Sequence, residues 1–263
     1  MNEITPLFSA AGQSALVSVM QRKPLLAFDF DGTLAPIVEH PDDARVPAPW
    51  APVLKELASL VPVAIVTGRS VADVTARLPF EPRYILGNHG AEDPAGALPT
   101  GSIDRLNEIR RKLSRNKGVL SLLGIELEDK RYSLALHYRL APDMLAAQRC
   151  IDDMLAGEQA GLHLFQGKCV MNIAPDDAAD KADAVMSLVG RAGAESALFA
   201  GDDVNDEPVF ERVPADWLTL KVGRDGPPSS ARFIIDTHEE IGSLLQELLQ
   251  MAKGTAGRPS QSS

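Results

Sequence analysis

The apolar run Leu25-Leu26-Ala27-Phe28 leads directly into Asp29-Phe30-Asp31-Gly32-Thr33. A short, unbroken apolar run closed by a turn signal suits a strand buried on both faces of a parallel sheet. Open α/β sheets bind ligands beyond the carboxyl ends of their strands, so Asp29 and Asp31 are expected at a functional rim. Two carboxylates crowded there repel each other unless a cation lies between them, and Mg2+ is the usual hard, oxygen-seeking ion. The plainer alternative is a turn with acidic residues at its lip, since Asp and Gly both favour turns.

The surrounding pattern predicts an α/β fold built on a parallel sheet. Strand-like residues 25–30, 62–67 and 83–87 alternate with helix-like 49–60 and 71–78, the latter opened by Ser70 as a helix cap. After about residue 95 the pattern changes to a helix over 103–116, strands over 124–128 and 132–139, a helix over 142–159, and strands over 162–166 and 169–173. Strand pairs and helices in that order predict an antiparallel α+β module. From about residue 176 the first rhythm returns, with a helix over 179–192, a strand over 197–200, a short helix after Asn205, strands over 217–222 and 232–235, and a helix over 239–251. The expected plan is an N-terminal extension over 1–22, a Rossmann-like core over 23–98 and 176–252, an inserted module over 99–175, and a frayed tail over 253–263.

Composition narrows the function classes. With 45% hydrophobic residues in 263, a substantial core is expected. The net charge of −10, with no block of Lys and Arg, argues against nucleic acid as a partner. No stretch is long and apolar enough to span a bilayer, so no membrane partner is expected. Residues 1–20 lack a basic start followed by an apolar run, so no signal peptide is expected. Cys150 and Cys169 have no metal-ligand spacing, which fits a reduced, cytoplasmic protein.

Three further segments carry chemistry. Thr67-Gly68-Arg69-Ser70 follows a strand and opens a helix, a setting in which a hydroxyl, amides and the helix dipole favour a phosphate oxygen. A simple Ser cap after a Gly turn explains the same residues. Lys181 lies near the start of a helix, where most lysines are solvated. Gly201-Asp202-Asp203-Val204-Asn205-Asp206-Glu207 follows an apolar strand, and its acids are too many for helix capping alone. Parallel strands bring these ends to one rim holding carboxylates, a hydroxyl and an ammonium. That inventory fits phosphoryl transfer.

In order and context the four segments resemble the motifs of the haloacid dehalogenase (HAD) superfamily. Leu86-Gly87-Asn88-His89-Gly90-Ala91-Glu92, Ala135-Leu136-His137-Tyr138-Arg139 and Gln166-Gly167-Lys168-Cys169-Val170 resemble trehalose-6-phosphate phosphatases in particular. The chain departs from that pattern at Asn172 and Ala174 before Pro175, at Ala182 and at Asn205. The resemblance implies a HAD core with an inserted C2-type cap, a Mg2+-dependent phosphatase, and a small sugar phosphate as partner. It implies Asp29 as nucleophile and Asp31 as acid/base, with Thr67 and Lys181 holding phosphate oxygens. Asp29, the Asp31 carbonyl and Asp202 would hold the metal. Gly68, Arg69, His89, Arg139, Gly167, Lys168, Asn172, Asp203 and Asp206 would contribute to substrate binding. Asp203 and Asp206 could equally bind the metal through water or orient Lys181, and Gly167-Lys168 could be a hairpin turn with a solvated lysine. The departures at Asn172 and Ala174 keep a sucrose-phosphate or mannosyl-phosphoglycerate substrate open, and a non-catalytic sugar-phosphate binder is the rival from another class.

Overall fold

The computed structural model describes residues 4–95, 103–167, 169–177 and 179–256. In chain order the elements are β1 (Thr5–Pro6), α1 (Ala10–Met20), β2 (Pro24–Phe28), α2 (Ala51–Leu60), β3 (Val63–Val66), α3 (Val71–Thr75) and β4 (Tyr84–Leu86). Then come α4 (Ile103–Arg115), α5 (Lys117–Leu122), β5 (Glu126–Asp129), β6 (Leu134–His137), α6 (Met144–Leu155), β7 (Leu162–Gly167) and β8 (Val170–Pro175). The chain closes with α7 (Lys181–Ala192), β9 (Ser196–Gly201), α8 (Glu207–Arg212), β10 (Leu218–Val222), β11 (Phe233–Ile235) and α9 (Glu240–Ala256). Two compact units result: Met1–Gly90 with Asp180–Ser263, and Ala91–Ala179.

The first unit is a 7-stranded sheet in the order β1-β11-β10-β9-β2-β3-β4, parallel throughout. From β2 the chain winds outward through β3 and β4. From β9 it winds the other way through β10 and β11. The β2/β9 seam is therefore the switch point at which open α/β sheets form a crevice. Both seam strands are wholly buried, which is why they read as unbroken apolar runs. Alternate residues serve opposite cores: Leu26, Phe28, Leu198 and Ala200 pack with Leu16, Leu57 and Leu245 of α1, α2 and α9. Leu25, Ala27, Ala197 and Phe199 pack with Val185, Leu188 and Phe210 of α7 and α8.

Residues before 23 supply α1 and the short edge strand β1, which pairs with β11. No pattern in that stretch marks an element in advance, but Ser9 caps α1 by accepting from Gly12 N, and Leu16 is buried. Helix α3 is shorter than its apolar spacing predicts. It ends at Thr75, and single turn-like bonds carry the chain through Arg77 and Leu78. Helix α7 starts with a reciprocal capping box between Asp180 and Asp183 and stops at Gly193, whose φ of 63° suits glycine.

The second unit is a 4-stranded antiparallel sheet in the order β5-β6-β8-β7. Leu106, Ile109 and Leu113 of α4 recur at helical spacing, as do Ala147, Ile151 and Leu155 of α6. Both stripes share a core with Leu134, Leu136 and Ile173 of the sheet. The helix expected to end at 116 is followed at once by α5, whose Gly118 lowers helix propensity and hides it from pattern reading. No helix among the described residues is long and apolar enough to cross a membrane.

Phe199 is 1% exposed on a seam strand and packs on the Phe210 ring. Phe199→Ala is expected to cost about 3–5 kcal/mol of stability. Urea unfolding should show a lowered midpoint at unchanged slope, and a shift worth less than about 1 kcal/mol would contradict this packing.

Candidate active site

The loop after β2 places the first pair of acids. Asp29 still pairs with the sheet, donating its N–H to Ala200 O at 2.9 Å, and the residue is 5% exposed. The chain then turns tightly, with Ala35 N donating to Phe30 O at 2.8 Å and Gly32 N to Ala35 O at 2.7 Å. Gly32 has φ +80°, and a Cβ there would lie 2.1 Å from Asp202 Oδ2. Glycine thus serves twice here: it permits the turn, and it lets the carboxylate at the end of β9 lie against the loop from β2.

Lys181 opens α7 and is 2% exposed. Its Nζ lies 2.9 Å from Asp29 Oδ1 and 2.7 Å from Asp206 Oδ1. Asp206 is fully buried, and its Oδ2 accepts from Asp203 N at 3.0 Å. A side chain at Gly201 would strike the Asp206 carboxylate. Asp203 accepts from Val204 N at 2.7 Å, capping the turn that carries Asp206. Burial pushes the Asp29 carboxyl well above its ordinary range; Lys181 opposes this, while Asp206, Asp202 and Asp31 reinforce it. Burial alone would lower the Lys181 pKa, but Asp206 and Asp29 outweigh it and keep the ammonium charged.

Oxygens of Asp29, Asp202 and Asp206 lie within 4.8 Å of one another. Three hard carboxylate donors so close together suit a divalent ion such as Mg2+. The upward pull on Asp29 comes first from burial, with Asp206, Asp202 and Asp31 adding to it. Asp29, Asp202 and Asp206 are, among the described residues, the acids that could hold such an ion. Lys221 of β10, which no motif singles out, is also buried and donates to the Asp202 carbonyl.

Asp31 takes a two-pronged ion pair from Arg69: Nε to Oδ2 at 2.7 Å and Nη2 to Oδ1 at 2.7 Å. Arg69 also donates to Asp73 Oδ2 and to Pro41 O, each at 2.8 Å. Its guanidinium therefore bridges Asp31 and Asp73. Burial acts to raise the Asp73 carboxyl, but hydrogen bonds from Arg77 and Arg69 prevail and hold it down at about 2. Thr67 is 1% exposed at the end of β3, and its hydroxyl accepts from Arg69 N at 3.2 Å. A Cβ at Gly68 would fall 2.5 Å from His89 Cε1, so the missing side chain admits the imidazole beside that peptide. His89 has φ 59°, and its N–H donates to Thr67 O at 2.8 Å, tying the segment after β4 to the segment after β3.

The first unit therefore holds Asp29, Asp31, Thr67, Gly68, Arg69, His89, Asp202, Asp203 and Asp206 just beyond strand ends, and Lys181 at the start of α7. Arg139, Gly167 and Asn172 belong to the second unit. There Asn172 is 7% exposed on β8, opposite Ala135 and Phe165. Gly167 ends β7 opposite Val170, and Arg139 is exposed just beyond β6. Lys168 lies outside the described residues.

Removing the Lys181 charge would leave Asp29 and Asp206 buried without it. Lys181→Met is expected to cost about 3–5 kcal/mol at neutral pH. Without Lys181 the folded-state pKa of Asp29 rises further. The deficit should therefore grow as pH rises through the raised Asp29 pKa, above the ordinary carboxylate range, and shrink as pH falls below it. Urea titrations at several pH values check this; a deficit independent of pH would contradict the pairing.

Comparison with known proteins places the chain in a family. The family model described as trehalose-phosphatase matches residues 27–217. The trehalose-phosphate phosphatase of Mycobacterium avium is 32% identical over 257 residues, covering 89% of this chain and 64% of that protein. Its counterpart from Mycobacterium marinum is 31% identical over 245 residues, covering 88% and 62%. The chain thus spans less than two thirds of the length of these relatives. Among solved structures, the C-terminal domain of the Candida albicans trehalose-6-phosphate phosphatase superposes with a TM-score of 0.77 at 19% identity, covering 95% of this chain and 99% of that one. A trehalose-6-phosphate phosphatase related protein superposes with a TM-score of 0.72 at 24% identity, covering 88% and 99%. At those identities the superpositions speak for the fold, and the match over 27–217 settles the family: this chain belongs to the trehalose-phosphatase family.

Proposed function

We propose that the chain hydrolyses the phosphate monoester of trehalose 6-phosphate through a phosphorylated Asp29. The observation that carries this is the buried Lys181 bridge between Asp29 and Asp206 at the β2/β9 seam, with the Asp202 carboxylate beside it. Lys181 engages Oδ1 of Asp29, which leaves Oδ2 as the attacking atom. Asp29 forms the new P–O bond as the bond to the sugar oxygen breaks, splitting one hard displacement into two. Asp31 delivers a proton to the departing sugar oxygen and then takes one from the water that hydrolyses the acyl phosphate. Thr67 and Lys181 donate to the non-bridging oxygens. A Mg2+ ion held by Asp29 and Asp202 would neutralise phosphate charge.

Sugar recognition falls, in this reading, to Arg139, Gly167, Lys168, Asn172 and His89. A reducing, cytoplasmic setting follows from the cysteine usage. A pure binding module is disfavoured because it has no need of mutually repelling buried acids held around one ammonium.

Phosphate release from trehalose 6-phosphate, sucrose 6-phosphate, mannosyl-phosphoglycerate and glucose 6-phosphate, with Mg2+ and with chelator, tests the reading. Trehalose 6-phosphate should be preferred, and chelation should abolish release. Asp29→Asn should lower turnover by at least about a thousandfold while the protein stays folded. Preference for another ester reassigns the sugar, and full activity in Asp29→Asn overturns the mechanism. Independently of turnover, Mg2+ should raise the Tm of the wild type, and the increment should vanish in Asp202→Asn.

A further inference from the structure

His238 lies in the corner between β11 and α9, where Ile241 N donates to its carbonyl at 3.1 Å. The corner is firmly built: the Glu240 carboxylate accepts from Asp236 N at 2.9 Å and from Thr237 N at 3.3 Å. The His238 ring packs on Trp50, with centroids 5.0 Å apart and planes inclined by 32°. Gly242 of α9 makes room for that indole, since a Cβ there would lie 2.6 Å from Trp50 Nε1. Against this backing the ring donates to the carbonyl of Thr33, in the turn after β2. Its Nε2 is buried without a partner, which assigns the donated proton to Nδ1. Burial lowers the His238 pKa against the opposing pull of Glu239 and of the Thr33 bond, so the ring is uncharged near neutral pH.

We propose that His238 is a positioning residue for the turn after β2, acting through the Thr33 carbonyl. This rests on the reading above, in which the start of that turn carries the attacking carboxylate. Thr33 is fully buried, and no backbone N–H among the described residues donates to its carbonyl. A buried carbonyl without a donor is costly, so the ring nitrogen fills a place that needs one. The turn's own backbone bonds, Gly32 N to Ala35 O and Ala35 N to Phe30 O, set its shape but not its tilt against the sheet. Gly32, at φ +80°, adds freedom at the same point. The bond from His238 reaches the turn from outside, because β11 stands three places from β2 in the sheet order. Packing on Trp50 fixes the plane of the ring, and with it the direction of the Nδ1–H. A nucleophile displaced by a fraction of its approach distance loses rate steeply, so the tilt of this turn matters to the chemistry.

Two measurements separate positioning from packing. In isotope-labelled wild type at neutral pH, long-range proton–nitrogen NMR should show the His238 ring uncharged, with its proton on Nδ1. A proton on Nε2, or a charged ring, overturns the proposal. The second measurement uses variants assayed well below their melting temperatures. His238→Phe keeps a ring against Trp50 and loses the donor, so kcat for trehalose 6-phosphate and for p-nitrophenyl phosphate should fall alike, by about tenfold. His238→Asn offers an amide N–H near the place of Nδ1 and should recover kcat to within about threefold of wild type. Unchanged kcat in His238→Phe, or an equal fall in His238→Asn, overturns the proposal and leaves His238 a packing residue. If His238→Phe does not fold, Gly242→Ala, which crowds the indole behind the ring, takes its place. It should lower kcat on both substrates by at least about threefold, and no fall overturns the proposal. Wild-type protein inactive on trehalose 6-phosphate would instead overturn the substrate reading, and the NMR result would still judge the bond to Thr33.

Discussion

One buried ammonium organises this molecule. Lys181 joins Asp29 from β2 to Asp206 beyond β9, at the seam where the sheet changes winding direction. Burying one carboxylate is costly, and burying neighbouring ones is costlier still. The lysine makes that crowding tolerable, and its place at the first turn of α7 is fixed by the Asp180–Asp183 capping box. Arg212 of α8 clasps both capping acids, so the position of Lys181 also depends on the packing of the next helix. Position, charge and chemistry therefore share one set of contacts.

Small residues matter for the same reason. Gly32 and Gly201 leave room for the carboxylates of Asp202 and Asp206, and Gly68 leaves room for the His89 ring. A side chain at any of these points would occupy space the site uses. Such glycines sit where two loops touch, so their role is invisible along the chain and plain only when strand ends are assembled.

The core was legible because its strongest signals are local. Apolar runs ending in Asp29, Thr67 and Gly201 show both the strands and the edge they share. That Asp206 pairs with Lys181 was one of the alternatives open from the sequence, and its burial and 2.7 Å distance are visible only in the fold. Other residues escaped for definable reasons. Asp73 and Arg77 stand four apart and read as an exposed helical ion pair. Lys221 interrupts a strand whose neighbours all face the core, and nothing nearby in sequence announces its bond to the Asp202 carbonyl. Arg69 stood out within its motif, but its bonds to Asp31 and Asp73 are visible only in the fold. Helix α1 carries its apolar positions without a motif, and it joins the core through α9 and the sheet.

The account stands or falls on Asp29 as the atom donor to phosphorus. Labelled phosphate transferred from trehalose 6-phosphate, quenched in acid, reduced with borohydride and located by peptide sequencing tests this directly. The expected result is a homoserine at position 29 in the wild type, absent from Lys181→Met. Phosphate release with no reduction product at 29, or with the product at 31, would contradict it.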